Sequence, residues 1–395
     1  MKKSLLKLFA FIAVSAIVTT SCTSNEETPT QCPCTFSLNE NDLKGTICEG
    51  VVNLDPTITY KLTGKLQIND GATLTIPAGT RIVATGQTSA YIAVAQGGKL
   101  NVKGTATNPV VMTSGQTTPA AGDWGGLVIC GRAPINSING GAGTAQSEVA
   151  DLTYGGTISN DNSGSIKYLR IEYAGAAFSA TKEFNGVSLF GVGSGTTFQN
   201  VETYRGADDG FEFFGGSVNT SNLISIGNED DAFDWTEGWN GTNNNWFGKL
   251  DFGKGNRGIE ADNYEFGFAN TPISNPTINN ITLIGAGITA DATIYPENQA
   301  FKFRRGTKSI VDNAYISGWK TGIDVEHDET IAFVGTLLKV TNITFTDIAT
   351  LKKGKKTDGS VADVTAVYTE ATSVATGAGN GASQPTWADL WSVGF

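Results

Sequence analysis

ADDGFEFFGG (residues 207–216) and EDDAFDWTEG (residues 229–238) are one pattern repeated at a spacing of twenty-two: an acidic pair, a short spacer, then aromatic, acid, aromatic. In an extended strand successive side chains leave opposite faces. Phe211 and Phe213 therefore share one face with Glu212 on the other, and Phe233, Trp235 and Asp234 divide in the same way. The match continues upstream, where NVETYRG from Asn200 aligns with NLISIGN from Asn222 and sets Val201 against Leu223. The small-apolar-polar-apolar signature returns in GVSLF from Gly186, GIEAD from Gly258, AFKFR from Ala300 and GIDVE from Gly322. Earlier in the chain the period is twenty-six: Leu66, Ile68, Leu74 and Ile76 correspond to Ile92, Val94, Leu100 and Val102.

Such periods, with three short β-segments per repeat, 49 glycines and no sustained helical periodicity after residue 50, predict an all-β chain wound as a β-solenoid. A propeller needs repeats of about 40–45 residues and a sandwich does not repeat. The expected architecture is three short parallel sheets in coils of about 22–26 residues over residues 50–350. Residues 137–165, rich in Gly, Ser and Asn, read as an excursion from the coils, and 351–385 as a loose crossing. The closing PTWADLWSVGF is expected to lay Trp387, Leu390 and Trp391 over the open end as a cap.

Stacking the coils about 4.8 Å apart makes the outward position a column: Ser188, Glu212, Asp234, Glu260, Lys302, Asp324. Neighbouring carboxylates at that distance repel by about 1 kcal/mol in water, and more where solvent is excluded. Raised pKa values with shared protons relieve this, and so does a bound cation. Calcium takes about six to eight oxygen ligands, which makes Glu212, Asp234, Glu260, Asp208, Asp209, Asp230 and Asp231 the candidate metal ligands. The competing reading is structural, with Asp and Asn stacked as hydrogen-bond ladders at the turns and the outward acids solvated. No EF-hand loop is present, so different coils would have to assemble any calcium site.

WTEGWNGTNNNWFG (residues 235–248) reads as longer than its coil needs. Trp239 and Trp246 on such a loop would stack on sugar rings, with Asn244 and its neighbours bonding hydroxyls, unless the rings fold back onto the coil. His327, the one histidine, has acidic neighbours and is expected at the solvent. No P-loop, dinucleotide fingerprint or nucleophile elbow occurs.

The N-terminus has the three parts of an export signal: Lys2 and Lys3, an apolar run from Leu8 to Val18, and the small residues TTS before Cys22. It resembles a bacterial lipoprotein signal, which implies acylation at Cys22 after removal of residues 1–21; the alternative is a plain secretory signal cut nearby. Residues 22–49 then form a polar, acidic tether and an N-terminal cap. Loss of Lys2, Lys3 and Lys7 leaves 24 basic against 38 acidic residues, a charge of −14, which argues against nucleic acid as a partner. In an oxidising compartment Cys48 is expected to pair with Cys32 or Cys34.

The coil pattern resembles right-handed parallel β-helices of the pectate-lyase-like superfamily. GDWGGLVI from Gly122, APIN from Ala133, EYAG from Glu172 and DDGFEFFGG are together similar to a family of uncharacterised surface lipoproteins from the Bacteroidota group. The resemblance implies an outer-membrane or cell-surface location. Pectate lyases use calcium on a substrate carboxylate and an Arg or Lys as the base, which makes Lys302, Arg304 and Arg257 the lyase candidates, against the plainer reading that they balance nearby acids. The function expected is a lipid-anchored recognition or scaffold protein, with calcium assisting an extracellular glycan on its acidic face. The rivals are a calcium-dependent lyase of uronic-acid polymers and a spacer without ligand.

Overall fold

The computed structural model describes residues 36–250 and 253–395. Every coil contributes to three parallel sheets, and the chain is a right-handed parallel β-helix. The first sheet stacks Ile92–Val94, Leu127–Cys130, Val187–Phe190, Phe211–Phe214, Phe233–Thr236, Ile259–Ala261 and Gln299–Phe303, and ends on the distal halves of Ser309–Glu326 and Leu338–Lys355. The expected pairings hold residue by residue: Leu66 with Ile92, Leu74 with Leu100, Val201 with Leu223, Phe211 with Phe233.

The second and third sheets share long strands such as Thr197–Tyr204, Thr220–Ile226, Thr242–Lys249 and Thr277–Ile284, each bent at one asparagine with positive φ. Asn200, Asn222, Asn245, Asn280, Asn313 and Asn342 hold this corner, at φ between 53° and 64°. Asparagine enters the left-handed region at lower cost than most residues. Coil to coil, the Nδ2 of Asn245, Asn280 and Asn313 donates to the Oδ1 of Asn222, Asn245 and Asn280, at 2.8, 3.0 and 2.8 Å. One half of the structural-ladder reading is therefore realised at a corner remote from the acidic column.

Inside the coils the aromatic rings stack in register. Phe211 and Phe233 lie 5.6 Å apart, Phe233 and Trp246 4.4 Å, Phe213 and Trp239 4.0 Å. A smaller apolar cluster forms outside the helix, where the excursion lays the hairpin of Thr144–Gln146 and Thr153–Gly155 over the outer face of the first sheet. Tyr154 packs on Phe190 at 5.0 Å, and Ile135, Val149 and Phe184 complete the cover over Val128 and Cys130. Cys130 is a free thiol, and burial pushes its pKa up to about 12. Cys48 is disulfide-bonded, while Cys32, Cys34 and the acylation candidate Cys22 lie outside the described residues.

The C-terminal segment differs from the expected cap. The final coil runs to Lys355, so 351–355 are strand and not a loose crossing, and Ala362, Val364 and Val367 cover its end. Residues 375–395 instead run back along the flank: Ala375 N–H donates to Thr344 Oγ1, Ala378 N–H to Thr282 Oγ1, and Val393 N–H to the Glu202 carboxylate at 3.0 Å. Trp391 is buried beside Ile224, Ile226 and Phe247, whereas Leu390 is 76% exposed.

Candidate functional site

The outward column of the first sheet is set by strand register. Ser188, Glu212, Asp234, Glu260, Lys302, Asp324 and Lys353 are successive partners on adjacent strands. Their surroundings change along the stack. Before Ser188 the column is Ala93 and Val128, both under the excursion. Past Glu260 it is charge-balanced: Lys302 Nζ lies 2.9 Å from both Asp324 and Glu326, and Lys353 and Lys355 close the set at 3.3 and 2.6 Å. Burial works to raise the Glu326 pKa, but the bonds from Lys355 and Lys302 outweigh it and hold the group at about 2.

Between these zones the acids lack such partners. Among the described residues Asp208, Asp209, Glu212, Asp230 and Asp234 form no ion pair, and Glu212 is met by the Asn185 amide at 2.7 Å. Burial, and then Asp234 beside it, pushes Glu212 well above the carboxylate range; burial, and then Glu260, does the same to Asp234. Asp208 is raised to about 8 by burial and by Asp230. Carboxylate oxygens converge within 4.8 Å in three overlapping trios, Asp208–Asp209–Asp230, Asp209–Glu212–Asp234 and Asp231–Asp234–Glu260. The third is partly neutralised, since Arg257 bonds Asp231 at 3.1 Å and Glu260 at 2.8 Å.

The second aspartate of each pair bonds backbone with one oxygen and also belongs to a trio: Asp209 Oδ1 accepts the Asp231 N–H at 2.8 Å, and Asp231 Oδ1 accepts the Arg257 N–H at 2.6 Å. The first aspartates, Asp208 and Asp230, line an open cavity of about 450 Å³. A neighbouring cavity of about 410 Å³ reaches Asp208, Asp209 and Glu212 beneath Lys182. Glu148, Lys182 and Glu212 also line a third space of about 490 Å³ over Asp234, Glu260 and Arg304, so the three cavities flank one acidic tract.

Several expected roles do not survive. Trp239 and Trp246 are fully buried in the core and cannot stack on a sugar from outside. The stretch taken for a loop is the strand Thr242–Lys249, in register with Thr220–Ile226, and Trp246 Nε1 donates to Thr220 Oγ1 at 2.9 Å. Asn244 is exposed, but on the second sheet, where it accepts from Asn279 at 3.4 Å. Lys302 and Arg257 are buried in their ion pairs, and Arg304 is held by Glu260 at 2.6 Å and Asp262 at 2.8 Å. His327 is half-buried against Phe268, and its Nδ1 accepts the Arg305 N–H at 3.1 Å. Burial lowers its pKa.

The cavity of about 490 Å³ also recruits residues outside the repeat: Glu148 and Tyr154 from the excursion, Lys182, and Glu237, Tyr264, Glu265 and Phe266. Burial raises Glu148 to about 7, with Lys182 opposing and Glu237 and Glu265 adding to the shift. The available signal was spacing, because Glu260 and Lys302 are neighbours in register yet forty-two residues apart, nearly two coils.

No curated protein matches the chain. Among solved structures, the catalytic unit of a thermostable GH87 alpha-1,3-glucanase from Streptomyces thermodiastaticus strain HF3-3 is 12% identical with a TM-score of 0.34. That match covers 80% of this chain and 65% of the glucanase chain. The family model described as "Pectate-lyase like beta helix domain" matches residues 45–392, nearly the whole described chain. The chain belongs to the pectate-lyase-like β-helix domain family.

Proposed function

We propose that this chain is a lipid-anchored cell-surface recognition protein that binds calcium on the acidic tract of its first sheet and a glycan in the adjoining groove. The observation that carries the calcium reading is the trio Asp209, Glu212 and Asp234, whose carboxylate oxygens lie within 4.8 Å of one another, without an ion-pair partner among the described residues. Hard oxygen donors drawn from two coils suit calcium, and the trio brings one oxygen from each of three carboxylates together. Asp208 and Asp230 stand beside the trio as further donors. The export signal and Cys22 support the anchored location.

The recognition reading is favoured over a uronate lyase by the state of the bases. A proton-abstracting Lys or Arg must reach substrate, and Lys302, Arg257 and Arg304 are each held by two or more carboxylates. Three cavities on this face speak against a bare spacer.

The test is the melting temperature of residues 23–395, stripped with chelator, against added calcium. At a concentration of about 100 times Kd a bound ion stabilises by about 2.7 kcal/mol. The rise in melting temperature is expected in the parent protein and absent from the Glu212→Gln/Asp234→Asn variant. An equal response in both, or none in either, overturns the calcium assignment, and release of unsaturated products from polyuronates would replace recognition with lyase activity.

A further inference from the structure

The large cavity has features that a calcium site does not use. Its walls carry Tyr154, Phe190, Phe214, Tyr264 and Phe266, together with acids contributed by four separate segments. Phe266 is 80% exposed at the rim, and its ring meets that of Tyr264 edge-on at 5.5 Å.

The loop bearing these rings is held rigidly. Asn136 Nδ2 donates to Asn263 Oδ1 at 2.7 Å and to Pro272 O at 2.9 Å. Asn263 Nδ2 donates to Phe268 O and Asn270 O at 3.0 and 2.9 Å, and Asn270 Nδ2 returns a bond to Asn136 O at 2.9 Å. Asn136 and Asn263 are fully buried. An exposed ring on a preorganised loop loses little conformational entropy when it meets a ligand.

The charge balance of the cavity is equally specific. Arg304 and Arg305 are already engaged by Glu260, Asp262 and Glu265. Glu148, Glu212, Asp234 and Glu237 then face the single cation Lys182, which is exposed. Glu237 is fixed by Tyr154, whose hydroxyl donates to it at 2.7 Å, and by Ser137 at 3.2 Å.

We infer that this cavity binds a glycan bearing protonated amino groups, an unacetylated amino sugar, with a ring stacked on Phe266 and Tyr264 and an ammonium group directed at Glu148 and Glu237. A protonated amine on a sugar ring satisfies carboxylates and aromatic faces together. A bare metal ion leaves the rings unused, and a lysine side chain lacks the flat face that Phe266 presents. The volume of about 490 Å³ lies within the range of small-molecule sites, about 300–1,000 Å³. The inference rests on the reading of this face as a recognition surface and names the class of glycan recognised.

The test is calorimetric titration of residues 23–395 with a glucosamine hexamer, an N-acetylglucosamine hexamer and poly-lysine, in chelator and again in calcium. The glucosamine hexamer is expected to bind at least about tenfold more tightly than its acetylated counterpart, which corresponds to about 1.4 kcal/mol. Phe266→Ala and Glu148→Gln are each expected to weaken it about tenfold. Phe266 and Glu148 lie outside the coil core, and an unchanged melting temperature shows that the variants fold. Equal binding of both hexamers, no binding of either, or indifference to Phe266→Ala overturns the inference; so does poly-lysine that binds more tightly and ignores Phe266→Ala. A calcium-induced rise in melting temperature that persists after any of these failures leaves the calcium reading standing. Amine binding without a calcium response removes calcium alone.

Discussion

Two stretches of the same sheet face are built from the same repeat and reach opposite electrostatic solutions. On the later coils Lys302 alternates with Asp324, and Lys353 and Lys355 complete a balanced lattice. On the middle coils Glu212 and Asp234 follow one another with no interleaved cation. In the lattice each buried charge has a partner, and the bonds close the surface. In the acidic stretch the charge excess stays open to the groove and produces raised pKa values. A repeat therefore dictates where a side chain points, while the neighbouring coil decides whether that side chain is structure or site.

The sharpest break with the expected glycan loop is Trp246→Ala. A ring stacked at 4.4 Å on Phe233 inside the core should cost about 3–5 kcal/mol when removed. Urea denaturation measures this, and a neutral result would return Trp246 to the surface. Next is Lys302→Met, which leaves Asp324 and Glu326 to Lys353 and Lys355 alone and should cost about 3 kcal/mol. The matching change in the acidic stretch, Lys182→Met, should stay within about 0.5 kcal/mol, because Lys182 is exposed. Similar losses from the two would erase the distinction between lattice and site.

Glu212→Gln with Asp234→Asn should stabilise the calcium-free protein by about 1 kcal/mol, because burial first and the neighbouring acids second disfavour both carboxylates there, the reverse of the usual effect of losing buried polar groups. A destabilised double variant would mean that these acids already serve the fold.

The pH dependence tests the same stretch from another side. Asp208 moves from 3.8 to about 8 and Glu148 from 4.5 to about 7 on folding. The native state then binds more protons than the unfolded chain across that interval, so the stability of the calcium-free protein falls as pH rises from about 4 to about 8. Calcium should flatten the decline by favouring the ionised groups. A melting temperature that climbs over this range without calcium would contradict the burial of both acids.

Much of the site was legible in the sequence because strand alternation and coil period are local. The order Ser188, Glu212, Asp234, Glu260, Lys302, Asp324 follows from counting residues, and the register reproduces it. Trp246 was misplaced because NNN resembles a loop, although the spacing of twenty-three from Leu223 is an ordinary coil and Asn245 occupies the corner position. Phe266 and Glu148 were missed because insertions between coils carry no period to count.

By itself the sequence determined the winding of the chain: its period, the inward aromatic column, and the outward acids that share a line. Those features depend on residues within one or two coils, where hydrophobic alternation and backbone pairing leave no other arrangement. Only the tertiary structure decided which outward acids are neutralised, that the tryptophans are core, that an excursion roofs part of the sheet, and that the last residues brace the flank. Burial and counter-charge are set by whatever segment comes to lie above a strand, and here those segments are separated from it by dozens to nearly two hundred residues.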